Sequence, residues 1–117
     1  MHKNDLEVRT RDFALRIVDL VERLPKKRSS DAVARQLIRS GTSIGANYRE
    51  ANRAQSKDDF IHKISIATKE ASETGFWLEL IAISEHLKTA GSDELMNESR
   101  ELLAILSTIG KNAKSSR

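Results

Sequence analysis

Cysteine is absent from this chain of 117 residues, proline occurs once, and the aromatic side chains amount to three Phe, one Trp and one Tyr. Without cysteine there is neither a disulfide framework nor a thiolate metal site. With no secretory pattern at its start either, the expected compartment is the cytoplasm. No apolar run approaches the roughly 20 residues of a membrane-spanning helix. Scarce proline and aromatics favour helix over sheet. Charge of one sign is not lacking: 20 basic residues face 17 acidic ones, for a formal net charge of +3. Such a balance permits a polyanionic partner without demanding one. The length suits a single domain, residues 1–117, able to bury a core without staples.

What the chain does have is helical periodicity. Ala34, Leu37, Gly41, Ile44, Tyr48 and Ala51 recur at alternating spacings of three and four, which keeps one seam of a helix turned toward a partner. Each Gly in such a helix costs about 1 kcal/mol against Ala, so Gly41 and Gly45 imply a packing reason, a close approach of backbones. Four helices are expected, over residues 5–24, 31–54, 57–89 and 93–113. Asn4 and Asp5 are candidate caps for the first, whose inner face is Leu6, Phe13, Ile17, Leu20 and Leu24 until Pro25 stops it. Ser30 or Asp31 opens the second helix and Ser56 the third. The third carries Phe60, Ile64, Ala67, Ala71, Thr74, Leu78 and Ile81 inward and reaches Gly91 as its C-terminal cap. At about 1.5 Å per residue it would be roughly 50 Å long. Ser92 opens the fourth, with Leu95, Leu102, Leu106 and Ile109 inward, and the tail Lys111 to Arg117 is expected to fray. Short connections between long helices make neighbours antiparallel, so the fold class is all-α, an up-down-up-down four-helix bundle.

The run Gln36-Leu37-Ile38-Arg39-Ser40-Gly41-Thr42-Ser43-Ile44-Gly45-Ala46-Asn47, followed by Glu50-Ala51 and then Phe60, Ile64, Ala67, Ser72 and Glu73, resembles the four-helix-bundle protein family named after the intervening sequence of bacterial 23S ribosomal RNA genes. The resemblance covers nearly the whole chain, and its most specific part is the pattern Q-L-x-R-x-x-x-S-I-x-x-N. It implies a bundle assembled as a ring-shaped homopentamer, in a family to which no enzymatic activity is assigned. A relative, the accessory variability determinant of diversity-generating retroelements, is a basic pentamer that binds nucleic acid and a reverse transcriptase.

Independently of any family, the segment from Gly75 to Ile83 is apolar on nearly every side of its helix. A helix hydrophobic all round is normally buried all round. With Leu78 and Ile81 facing the core, Phe76 and Ile83 point away from it. Phe76, Trp77, Leu80 and Ile83 are therefore the candidate oligomer interface; the alternative is that the seam rotates and the bundle itself covers them.

The second candidate surface is the outside of the second helix. Arg35, Arg39, Arg49 and Arg53 lie on the face away from the seam, about 27 Å from end to end. Lys26, Lys27 and Arg28 extend the positive region beyond the helix start. A guanidinium fork suits phosphate, and with no aromatic residues interleaved for base stacking, binding would be led by phosphates and weak in sequence preference. The competing reading is a solvated face whose arginines pair with Glu50 or with acids on neighbouring helices.

Catalytic chemistry finds little support, so no catalytic residues, metal ligands or cofactor are expected. Asp59 and His62 stand at i and i+3, but a di-iron bundle would need a second such motif and further Glu residues. Glu70 and Glu73 read as surface charges. Ser40, Thr42 and Ser43 have no base beside them, and hydroxyls in mid-helix commonly bond back to an earlier carbonyl. Tyr48 reads as core, its hydroxyl near the bundle surface. The expected function is a non-catalytic oligomeric scaffold binding RNA or DNA phosphates through the Arg stripe; the alternative is a protein-binding hub with no nucleic-acid role.

Overall fold

A computed structural model describes residues 2–116; Met1 and Arg117, the extremes of the expected domain and of its fraying tail, lie outside the described residues. Four helices account for almost all of it: α1 (Lys3–Glu22), α2 (Ser30–Asn52), α3 (Lys57–Ile83) and α4 (Ser92–Ser115), with no strand among the described residues. Each helix packs on its neighbours in the order α1, α2, α3, α4 and back to α1, the α1–α4 contact being the slightest. The bundle measures 48 × 21 × 19 Å. One end, here the upper, holds the α1–α2 and α3–α4 connections; the lower holds the α2–α3 connection together with His2 and Ser116, the outermost described residues. Arg23 Nη1 donates to the Ala90 carbonyl at 2.7 Å across the upper end, and Lys57 Nζ to the Ser116 carbonyl at 3.1 Å across the lower.

The expected seams form the core. Leu6, Phe13, Ile17 and Leu20 of α1 are buried, with Leu37, Ile44, Tyr48 and Ala51 of α2 opposite them. Ile64, Ala67, Ala71, Leu78 and Ile81 of α3 and Leu95, Leu102 and Leu106 of α4 complete it. Two positions differ by one step of rotation: Val33 is buried where Ala34 was expected, and Ile61 is buried while Phe60 is only partly covered; Leu24 and Ile109, expected inward at the helix ends, are also only partly covered. Buried hydroxyls pin the helices. Thr10 Oγ1 donates to the Leu6 carbonyl at 2.8 Å, and Thr74 Oγ1 donates to Ser40 Oγ at 2.9 Å between α3 and α2.

Gly41 and Gly45 have the packing role that their cost implied. A Cβ on Gly41 would stand 3.1 Å from the Ile17 side chain, and one on Gly45 would stand 3.0 Å from Thr10 Oγ1. Both glycines therefore mark the line along which α1 lies close on α2.

Only the start of α3 falls at the expected residue; the other boundaries shift by one or two residues and the end of α3 by six. α1 begins before the expected residue 5, because His2 rather than Asn4 or Asp5 is the cap: its Nδ1 accepts from the Asn4 N–H at 3.1 Å, and the Asp5 carboxylate accepts from the His2 N–H at 3.2 Å. α3 ends at Ile83, short of the expected Thr89, and is about 40 Å long at the usual rise. The chain turns extended at Ser84 and folds Leu87 into the top of the core, a burial that a continuing helix would forgo. Gly91 accordingly caps the start of α4 rather than the end of α3. α4 itself runs on through Ser115, so most of the expected frayed tail is helical.

Gly91 has φ of +96°, the only positive value among the described residues. A side chain in that region is strained by roughly 1–2 kcal/mol. Gly91→Ala is thus expected to lower the thermal midpoint by several degrees, measured by circular dichroism, and an unchanged midpoint would contradict the left-handed geometry.

Candidate nucleic-acid interface

The outer face of α2 is built as its sequence suggests, since the seam turned inward leaves Arg35, Arg39, Arg49 and Arg53 exposed. Their partners divide them. Arg39 Nη1 reaches Glu70 Oε2 of α3 at 2.9 Å, and Arg39 Nη2 is paired with Glu73. Arg49 Nε lies 3.8 Å from Glu7 Oε1 of α1. Arg53 Nη1 donates to the Arg49 carbonyl at 3.2 Å, near the C-terminal end of α2. Arg35 makes no ion pair among the described residues. The four-Arg stripe is therefore not one uniform surface: two members bridge to neighbouring helices, and Glu70 and Glu73, read from sequence as surface charges, are the acids that hold Arg39.

One group of free cations sits at the upper end. Lys26, Lys27 and Arg28 are exposed on the connection between α1 and α2, with no ion pair among the described residues. That connection is tightly tied. Ser30 Oγ donates to the Pro25 carbonyl and accepts from the Lys27 N–H at 3.0 Å, while the Ser30 N–H donates to the Lys27 carbonyl at 3.1 Å. A buried serine thus fixes the backbone that carries the three cations. Beside the connection opens a groove of about 730 Å³ whose lining includes Lys26, Lys27, Arg35 and Arg39. Glu22 and Asp31 also border it, and Val21, Leu24 and Ile38 form its apolar part. With Arg39 taken up by Glu70 and Glu73, Lys26, Lys27 and Arg35 stand against the two carboxylates and are joined by Arg28 on the connection, which keeps this elbow positive, and Arg53, near the other end of α2, stands apart from it.

On α3 the expected interface is half open. Ile83 is 70% exposed and Phe76 52% exposed, whereas Trp77 and Leu80 are partly covered. Trp77 packs against the core of its own bundle and meets Phe76 edge-on, the ring centroids 5.1 Å apart. The sequence reading missed a second apolar surface: Val8, Leu15 and Val18 are exposed on α1. Their signal was present as apolar residues off the inner stripe of the first helix.

The hydroxyls of α2 behave as structural groups. Thr42 Oγ1 donates to the Ile38 carbonyl at 2.7 Å and Ser43 Oγ to the Arg39 carbonyl at 2.5 Å, while Ser40 is engaged with Thr74. Tyr48 is core, its hydroxyl donating to the Lys3 carbonyl at 3.3 Å, and burial pushes its pKa above the usual value. His62 is exposed on α3, and His86 lies in the α3–α4 connection rather than on the same helix. Among the described residues no three His, Asp or Glu side chains gather where a metal ion could sit. No helix among them is long and apolar enough to cross a membrane.

The family model described as 23S rRNA-intervening sequence protein matches residues 3–108. No curated protein matches. Among solved structures, a crystal structure at 1.70 Å of a protein of unknown function from the S23 ribosomal protein family of Bacteroides thetaiotaomicron VPI-5482 is similar to this chain. The two are 42% identical in sequence, with a TM-score of 0.84 over 95% of this chain and 99% of that one.

Proposed function

The chain belongs to the 23S rRNA-intervening sequence protein family, and from that premise we propose that it is a cytoplasmic, non-catalytic scaffold that holds RNA or DNA by its phosphates at the α1–α2 elbow. The observation that carries this reading is the cluster of Lys26, Lys27, Arg28 and Arg35, four cations without an ion pair among the described residues, three of them on a backbone fixed by Ser30. A pre-positioned cation loses less freedom on meeting a phosphate than one on a loose loop. Arg39, Arg49 and Arg53 have a supporting place, since their charges are wholly or partly engaged within the bundle. The scaffold is a homo-oligomer, a ring of five subunits joined through Phe76, Ile83 and the exposed edges of Trp77 and Leu80. Exposed large apolar side chains on one helix face support that assembly. A ring would repeat the elbow and turn weak phosphate contacts into avidity.

Binding of the nuclease-treated protein to labelled RNA and DNA across a salt series tests the reading. Each phosphate neutralised contributes roughly 0.7–0.9 to the log–log salt slope, so an elbow engaging four phosphates is expected to give a slope of about −3 to −4 per subunit. Absence of binding at low salt would remove the nucleic-acid role. A second reading, a hub that docks a protein partner, is favoured by the same exposed Phe76 and Ile83, and it becomes the better one in that event.

A further inference from the structure

A long groove between α3 and α4 has no part in the elbow. Its lower half encloses about 550 Å³ over a floor of Ile61, Ile64, Leu103 and Leu106. Lys69 of α3 and Lys111 and Lys114 of α4 rim it, none of them in an ion pair among the described residues, and no carboxylate lines it. Gly110 keeps the floor open, for a Cβ there would stand 3.3 Å from Ile64 Cγ2. Past Ser72 and Leu103 the groove continues into a second hollow of about 290 Å³ flanked by Phe76 and Met96, where one carboxylate, Glu79, and one guanidinium, Arg100, leave no net charge. At Gly75 a Cβ would find only Ser99 Oγ, 3.5 Å away, so the backbone there is uncovered. From Ile61 to Phe76 the groove follows α3 for about 22 Å, some four turns of helix.

We infer that this groove docks an acidic amphipathic helix of a partner protein. Two antiparallel helices with a groove between them offer the shape into which a third helix lays its apolar face, against the partly covered Leu103 and the methylene stems of the rim lysines. Lysines on both rims of the lower half, with no carboxylate lining it, select a partner whose flanking residues over that half are Asp or Glu. The chemistry disfavours a phosphate ligand here. Strong phosphate sites add arginine forks or free backbone N–H groups to lysine, as Arg28 and Arg35 do at the elbow, whereas this half of the groove has no arginine and is walled by mid-helix backbone whose N–H groups are already bonded. Ammonium groups on flexible stems suit an array of carboxylates. Met96 at the upper end provides an adaptable apolar contact, while Phe76 beside it stays with the subunit seam.

The test uses two labelled helical peptides about 15 residues long, each with Leu at i, i+3, i+4 and i+7. One has Glu on both flanks of that stripe and the other has Lys. Anisotropy is expected to give an affinity for the Glu peptide at least about 10-fold above that for the Lys peptide. In the variant Lys69→Glu, Lys111→Glu, Lys114→Glu the preference should invert, and in the milder Lys→Gln triple variant it should disappear. Reversing Lys26, Lys27 and Arg28 should leave the peptide preference intact while lowering any RNA binding, which separates this groove from the elbow. Equal affinity for the two peptides, a preference that survives both triple variants, or displacement of the Glu peptide by a short oligonucleotide from the elbow-reversed protein would overturn the inference.

Discussion

Reversing Lys26, Lys27, Arg28 and Arg35 together to Glu is expected to weaken binding to RNA or DNA about 100-fold or more near physiological salt, with the helical content and assembly state unchanged. The expectation rests on the difference between engaged and free cations. None of the four has an ion pair among the described residues, and the three on the α1–α2 connection are exposed. Their reversal therefore removes no helix–helix contact. Each lost phosphate contact also lowers the steepness of the salt dependence by roughly 0.7–0.9, so the residual binding should be nearly flat with salt. The comparison variant is Arg39→Gln, Arg49→Gln. Those guanidiniums already face Glu70, Glu73 and Glu7, and exposed pairs of this kind contribute about 0–1 kcal/mol to stability. Their loss should change affinity only a few-fold. If the engaged pair mattered as much as the free four, the elbow would not be the site.

The second large effect is on the fold. Gly45→Leu is expected to destabilise the protein by about 2–4 kcal/mol, with a fall in thermal midpoint on the order of 10 °C. The new Cβ alone would stand 3.0 Å from Thr10 Oγ1 and 3.2 Å from Thr10 Cβ. Thr10 cannot simply turn aside, because it is fully buried and its hydroxyl is bonded to the Leu6 carbonyl. The rest of the leucine would have to wedge α1 from α2. Against this stands the better helix propensity of Leu, worth somewhat under 1 kcal/mol relative to Gly, which does not offset the clash. Gly75→Ala is the control. Its Cβ meets only Ser99 Oγ at 3.5 Å, so the same gain in propensity should appear as a rise in midpoint. A Gly45→Leu protein as stable as the parent would mean that α1 does not lie on α2 at this distance.

Much of this architecture could be read from the chain because its seams are periodic. The residues from Leu37 to Ala51 placed one face of α2 inward, and that same rotation placed the arginines outward. The end of α3 was not legible. Nothing between Ile83 and Gly91 breaks a helix by itself, and only the space left at the top of the core, which Leu87 fills, ends it. The cap at His2 was hidden by the stronger capping habits of Asn and Asp in the positions that follow. The division of the stripe was hidden for another reason. A helical wheel gives direction, but whether Arg39 meets Glu70 and Glu73 depends on the axial register of α2 against α3, which no periodicity within one helix encodes. Lys26, Lys27 and Arg28 were visible as a basic run. Their fixed backbone was not, because the Ser30 contacts that fix it depend on the fold of the connection.

Four antiparallel helices bring a chain back to the end from which it set out. His2 and Ser116 accordingly share the lower end with the α2–α3 connection, while the elbow crowns the upper one. α1 alone, with its 20 residues, puts about 30 Å between them. Anything tethered at either terminus, whether an affinity handle, a fluorophore or a fused enzyme, hangs from the far pole and leaves the cationic crown unobstructed. In a ring of parallel bundles all such cargo would be carried on one rim and the crown on the other.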